Sequence, residues 1–361
     1  MTQGTPSHPD ALLEYARDCH DLCSFHRERM TRAGLPSASS IGSFADVPLL
    51  TSAEVSSAGP QAILADALAD AIRDGSAVRF AEPDRIVRIS QTSSSSGNAP
   101  KLSMYTQSDW IAYRDTLPRM MAGTDPAGFA RVFNCFASTH SAGRFINDAF
   151  PLLGSLVLNR HHTAVTPEEV ITQLSLGFST LGDFTCLAAP PFSPGVVSKG
   201  ASIADLLEHD FDNVIGRTIR TVITAGAATS GDFDLREQLD EATDMAGKPP
   251  IQIVEWYGAA EVGIAAVRCQ HGGLHLTGGP VHTEVVDPET WRPVANGARG
   301  LVVATALRSG SRYLRYVVGD EATVHTGPCT CGLTTPRLTD IARFEDMARL
   351  QRGCASTEVA L

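Results

Sequence analysis

Nothing in the chain runs apolar for about 18 residues, so no segment reads as a transmembrane helix. The start, Met1-Thr2-Gln3-Gly4-Thr5-Pro6, lacks the basic-then-apolar pattern of a secretory leader. Positive charge is in deficit: 29 Lys and Arg stand against 40 Asp and Glu, a formal net charge of −11. That argues against a general nucleic-acid surface and leaves room only for a local basic patch. No internal repeat and no long low-complexity tract is visible. Neither the phosphate loop G-x-x-x-x-G-K-[ST] nor the nucleophile elbow G-x-S-x-G occurs. What is present is a soluble globular composition, 43% hydrophobic and 19% charged over 361 residues, enough for two or three packed subdomains. Eight cysteines without a leader point to a reducing, cytoplasmic setting and to metal ligation rather than a disulfide frame.

The chain is organised around Gln91-Thr92-Ser93-Ser94-Ser95-Ser96-Gly97-Asn98-Ala99-Pro100-Lys101. Before it, Arg85-Ile86-Val87-Arg88-Ile89-Ser90 alternates as a strand does. Gly97 lets the backbone approach a ligand and Pro100 ends regular structure. Such a loop either wraps phosphate oxygens, with Lys101 adding a point charge, or is a serine-rich linker.

Helical spacing of Leu12, Leu13, Tyr15, Ala16, Cys19, Leu22, Cys23 and Phe25 predicts a helix over 9–34, stopped at Ala33-Gly34-Leu35-Pro36. Cys19 and Cys23 share a face of it, and core packing is the better account of them. Residues 37–60 read as loop and 61–73 as a second helix, and Ser108-Asp109 is a candidate cap for a helix through Trp110 and Tyr113. Strands are expected at 130–136, 155–158, 185–189, 218–224 and 251–258. They alternate with helices that start at Thr166-Pro167-Glu168-Glu169, at Ser202 and at Gly231, and 138–143 reads as a turn. Strand, turn and helix in repetition predict a parallel sheet flanked by helices, with ligands at the carboxyl ends of the strands. The serine loop, His140, 225–228 and 257–261 all fall at such ends. After Gly263 short strands at 274–276, 281–286 and 300–305, with no helix between, predict an antiparallel β region.

Cys269, His275, Cys329 and Cys331 form a second constellation. Three thiols and an imidazole favour zinc over magnesium, in a closed structural site stapling the antiparallel region. The alternative is ordinary thiols beside a surface histidine, and His271 could stand in for His275.

Residues 92–101, then Tyr257-Gly258-Ala259-Ala260-Glu261, then Leu314-Arg315-Tyr316-Val317-Val318-Gly319-Asp320, occur in the order found in adenylate-forming enzymes, which the chain resembles over most of its length. Asp287-Pro288-Glu289-Thr290, Gly300-Leu301-Val302-Val303 and Pro328-Cys329-Thr330-Cys331-Gly332 look like the phenylacetate–CoA ligase branch. The resemblance implies the large domain of that superfamily: an α/β fold of two wound subdomains plus a β-rich region. It implies ATP held by Thr92, Ser93, Ser95, Ser96, Gly97, Ala225, Gly226, Ala227, Tyr257 and Gly258. Asp320 would take the ribose hydroxyls and Arg343 would open the hinge segment. Lys101, Glu261 and Arg315 would be the catalytic set, with Glu261 holding Mg²⁺. Arg315 is either a phosphate contact or a structural ion-pair partner. Phe133, His140, Phe145 and Trp256 would border the acid pocket, although plain core packing accounts equally for its aromatic residues.

The expected organisation is an adenylation core over 1–341, with a nucleotide- and acid-binding part at about 80–262 and a β-rich part at about 263–341. Residues 342–361 read as a hinge remnant and tail. Most of the small C-terminal domain of the superfamily is expected to be lacking. The implied activity is activation of a small aromatic or hydrophobic acid as an acyl-adenylate, then transfer to CoA, a carrier protein or an amine. A separate partner resembling the C-terminal domain, and a homodimer, belong to the same expectation. Serine stands at Ser94 where the family has glycine, and alanine at Ala227 and Ala342 where it has glutamate and glycine. These departures favour the alternative, a catalytically degenerate fold that binds acid or nucleotide or scaffolds a partner.

Overall fold

The structure is a computed structural model and describes residues 9–75, 85–91, 101–121, 124, 126–137, 141–192, 201–225, 235–269 and 271–345. In chain order the helices are α1 (Pro9–Leu22), α2 (Ser24–Arg32), α3 (Ser52–Ala58), α4 (Asp66–Arg73), α5 (Gln107–Arg114), α6 (Leu117–Met120), α7 (Ser141–Ala149), α8 (Pro167–Leu181), α9 (Ile203–Glu208), α10 (Val214–Thr218) and α11 (Leu235–Ala246). The strands are β1 (Ile86–Gln91), β2 (Leu102–Thr106), β3 (Arg131–Asn134), β4 (Leu156–Asn159), β5 (Cys186–Ala188), β6 (Thr221–Ala225), β7 (Gln252–Ala259), β8 (Gly263–Arg268), β9 (Leu274–Leu276), β10 (Val281–Val286), β11 (Arg299–Ala306), β12 (Tyr316–His325) and β13 (Arg337–Arg343). Among the described residues no helix is long and apolar enough to cross a membrane.

Two compact units result: Met1–Thr116 with Ala259–Ala266 and Gln270–Leu361, and Leu117–Gly258 with Val267–Cys269. The second unit is the expected wound α/β body. Its strands run in the order β7-β6-β5-β3-β4, all parallel. Helices bury apolar stripes on them: Val170 and Leu174 of α8, Ile203 and Leu206 of α9 and Leu235 and Leu239 of α11 close over Phe133, Leu187 and Val222. The Thr166 hydroxyl accepts from the Glu169 amide while the Glu169 carboxylate accepts from the Thr166 amide, and Pro167 opens the helix, as its sequence predicts. The turn expected at 138–143 is in part the start of a helix, because Ser141 already opens α7.

In the first unit β10, β11, β12 and β13 pair antiparallel in sequence order, and β9 adds to β13. Here the structure departs from expectation in four places. The helix predicted over 9–34 is two, because Cys23 is extended, while the Arg27 guanidinium takes the carbonyls of His20 and Asp21 that α1 leaves open. Part of the loop expected over 37–60 is α3, started by a capping box of Thr51 and Glu54. The strand ahead of the serine loop is not in the parallel sheet: β1 pairs antiparallel with β2, as a two-stranded sheet. The cap of α5 is Thr106 rather than Ser108-Asp109, with Asp109 closing the box three residues on.

Candidate active site

Glu261 sits in the turn between β7 and β8, and the first unit grips its backbone from several sides. Its main-chain carbonyl accepts from the Ser103 hydroxyl on β2, 2.9 Å away, and from the Arg308 guanidinium. Arg308 is itself fixed: its Nε donates to the Ser311 carbonyl at 2.8 Å, and its guanidinium lies 4.3 Å from the Tyr105 ring centroid and 5.6 Å from that of Tyr313. The segment carrying Arg308 is tied to α5, since the amides of Ser309 and Gly310 both donate to the Asp109 carboxylate at 2.8 Å. Gly263 follows with φ +102 against the Tyr113 ring, and the Tyr113 hydroxyl takes the Ile264 amide at 2.8 Å.

The side chain of Glu261 is as well defined. Oε1 receives the Lys101 ammonium at 3.1 Å and the Tyr316 hydroxyl at 2.8 Å. The two ion-pair side chains are only 14% and 10% exposed. Burial first, and then the Glu261 charge, hold the Tyr316 hydroxyl well above the usual tyrosine range, so it stays protonated and donates. Among the described residues both partners of the carboxylate fall on Oε1, and Oε2 carries none. An oxygen so placed suits a hard divalent cation, and the donor set therefore fits magnesium.

Other expected residues pair within this unit without joining that cluster. Asp320 on β12 faces Arg343 on β13 in register, and their side chains meet at 2.9 Å. Arg315 is committed elsewhere. Its Nε and Nη2 hold the Glu284 carboxylate at 2.8 and 3.2 Å, and its remaining donors go to the carbonyls of Ala45, Val47 and Trp291. All five of its N–H groups are used and 1% of its surface is exposed, so in this structure Arg315 is the ion-pair partner of Glu284. His275 Nε2 lies 3.3 Å from the Cys331 thiol, and the ligand atoms of His275, Cys329 and Cys331 are within 4.8 Å of one another. Cys269 directly follows β8.

In the second unit, Tyr257 and Gly258 lie near the end of β7, and Ala225 ends β6 in register with Trp256. Phe145 meets Trp256 edge to face at 5.6 Å, and the Trp256 indole N–H is buried with no hydrogen-bond partner among the described residues. Phe133 instead packs on Phe184 at 5.4 Å in the core of the unit. Thr92, Ser93, Ser95, Ser96, Gly97, His140, Gly226 and Ala227 lie outside the described residues. Sequence reasoning gave no role to Tyr316, Ser103 or Arg308. Tyr316 stands inside a motif already singled out, whereas nothing local marks a serine or an arginine that acts on a carbonyl far along the chain.

No protein-family model matches the chain. Its fold matches that of 2-hydroxyisobutyryl-CoA ligase in an open conformation with 2-HIB-AMP and CoA, with a TM-score of 0.71 at 19% identity, covering 95% of this chain and 72% of that one. The same ligase in its thioesterification state gives a TM-score of 0.69 at 18% identity, over 95% and 70%. The fold is therefore that of the large domain of adenylate-forming enzymes. Within that class the chain is similar to the phenylacetate–coenzyme A ligase of Thermus thermophilus, 25% identical over 278 residues. That match takes in 74% of this chain and 57% of the relative, so the chain spans little more than half of that protein.

Proposed function

We propose that the chain activates a small aromatic or hydrophobic carboxylic acid with Mg·ATP, forming an acyl-adenylate, and that the acyl group then passes to CoA, a carrier protein or an amine. The observation that carries this reading is Glu261: a carboxylate on a fixed turn, held through Oε1 by Lys101 and Tyr316, with no partner on Oε2 among the described residues. In the reaction the acid attacks the α-phosphorus of ATP and pyrophosphate leaves. Mg²⁺ at Glu261 would neutralise phosphate oxygens as charge builds on them. Tyr316 keeps the carboxylate oriented. Lys101, whose ammonium is within reach of the same oxygen, supplies a positive charge for the polyphosphate once the cation shares Glu261. Asp320 is the ribose ligand of this reading, and Trp256 with Phe145 the wall of the acid pocket. The relatives named as CoA ligases support CoA as acceptor.

Carboxylate-dependent exchange of labelled pyrophosphate into ATP tests this, because it reports the half-reaction whatever the acceptor. Exchange above background with at least one acid from a panel of phenylacetate, benzoates, short hydroxy acids and fatty acids is expected. No exchange with any acid, and no nucleotide binding, rejects the proposal. The ion pair between Lys101 and Glu261 favours one alternative, a degenerate fold in which the lysine occupies the cation position. That reading expects binding of acid or nucleotide without exchange.

A further inference from the structure

We infer that His275, Cys329 and Cys331 bind one structural zinc ion in the first unit. The cluster has the features of a prepared site rather than a chance meeting of thiols. The Nδ1 atom of His275 lies 3.1 Å from both the carbonyl and the hydroxyl of Thr335, and the carbonyl, which can only accept, favours the tautomer with the proton on Nδ1. In that tautomer the lone pair of Nε2 faces the Cys331 sulfur at 3.3 Å. A histidine fixed in this way by a backbone carbonyl is the usual second layer of a metal-ligating imidazole. The two thiols of the other arm come from one tight turn. The Cys329 amide donates to the Leu333 carbonyl and the Gly332 amide to the Cys329 carbonyl, both at 2.9 Å, while Gly332 takes φ +88. That turn points Cys329 and Cys331 to the same side, and their ligand atoms and that of His275 lie within 4.8 Å of one another. A central ion at ordinary zinc–sulfur and zinc–nitrogen lengths, about 2.3 and 2.0 Å, requires ligand separations somewhat below that limit.

Soft thiolates with a neutral imidazole select zinc over magnesium or calcium. Three ligands leave one tetrahedral position open. That position takes a further thiolate, imidazole, carboxylate or water. The local fold also needs a staple here. β9 is three residues long and pairs with β13 through only Leu274↔Leu338 and Arg337↔His275. A metal joining His275 to the turn at Cys329 and Cys331 would close that short ladder from outside. The site shares no residue with the Glu261 cluster, so the inference does not depend on the reaction proposed above.

Elemental analysis of protein purified without chelator tests it. About one equivalent of zinc is expected, and below half an equivalent after incubation with zinc and reductant overturns the site. Replacement by Co²⁺ gives a second measurement that does not rely on variants folding. Intense visible bands of tetrahedral cobalt, with sulfur-to-metal charge transfer in the near ultraviolet, are expected, and a pale octahedral spectrum overturns it. Cys331→Ser removes one of the two thiolates of the turn. Weakened charge transfer supports the site, whereas an unchanged spectrum overturns it. Chelation of the native protein should expose the thiols of Cys329 and Cys331 to alkylation, as read by peptide mass. If chelator leaves their labelling unchanged, no metal was protecting them.

Discussion

His26 is buried on α2, with Nε2 donating to the Arg312 carbonyl at 2.7 Å. Burial first, and then the neighbouring Arg29 charge, push its pKa from the ordinary 6.5 down to about 3. The unfolded chain therefore takes up a proton as pH falls below 6.5, and the folded chain does not until near 3. The stability linked to this group is complete above the unfolded value and is lost as pH drops through that window, at up to about 1.4 kcal/mol per pH unit. Replacing His26 by Gln, which cannot titrate, should flatten the acid limb of stability by about one proton's slope. Urea unfolding of both proteins from pH 7 to pH 4 measures the difference, and parallel limbs would contradict it. The Glu261 cluster permits a second test at this scale. Tyr316→Phe removes one of two donors from Oε1 and leaves Lys101 in place. Loss of such a partner behind a metal ligand typically weakens metal binding about 10- to 100-fold. The Mg²⁺ concentration for half-maximal exchange should rise by that order, with the Km for the acid nearly unchanged.

Elements show which features of the fold the sequence states openly. The cap of α8 is one: a threonine, a proline and two acids announce the helix, and the structure makes every bond they promise. Thr166→Ala removes the hydroxyl that accepts the Glu169 amide and should cost about 1 kcal/mol in chemical denaturation. Gly300 is another. It stands in a motif that looked like family resemblance, and the reason for glycine is space: a Cβ there would collide with the carbonyl of Val286 on the paired strand β10. Gly300→Ala should force β10 and β11 apart and lower stability by about 1–3 kcal/mol, the usual cost of overpacking, read as a shifted urea midpoint at unchanged slope. What stayed hidden is pairing between distant segments. Ile86–Gln91 was legible as a strand, but its partner Leu102–Thr106 lies beyond the serine loop, too far along for a short-hairpin signal. The box of Thr51 and Glu54 was readable as a helix start, and a small, polar composition masked it. Arg315 was legible as important and not as to why, because Glu284 is 31 residues away and only strand register brings it near. Glu261 was readable from its turn, whereas Tyr316, 55 residues on, was not.

For the whole molecule the question is how a protein of net charge −11 would hold a polyanion. Long-range attraction works against it, so binding must rest on short-range donors and on a cation that neutralises the phosphates locally. Glu261 makes this a condition rather than a preference. With its Oε1 already paired to Lys101, a bare triphosphate would compete with a carboxylate for the same ammonium, whereas a cation on Oε2 relieves that competition. Stability should therefore respond to Mg·ATP and not to ATP in excess EDTA. A ligand that binds only the folded state adds about 2.7 kcal/mol at a hundred times its dissociation constant. In a chain of this size that is a rise of several degrees in the melting midpoint. Glu261→Gln should abolish the difference between the two conditions while leaving the unliganded midpoint within a few degrees of the parent. Equal shifts with and without magnesium would show that Glu261 does not hold the cation. Shifts that appear with magnesium, in a protein that exchanges no pyrophosphate with any acid, would identify a nucleotide-binding relative that has lost the chemistry.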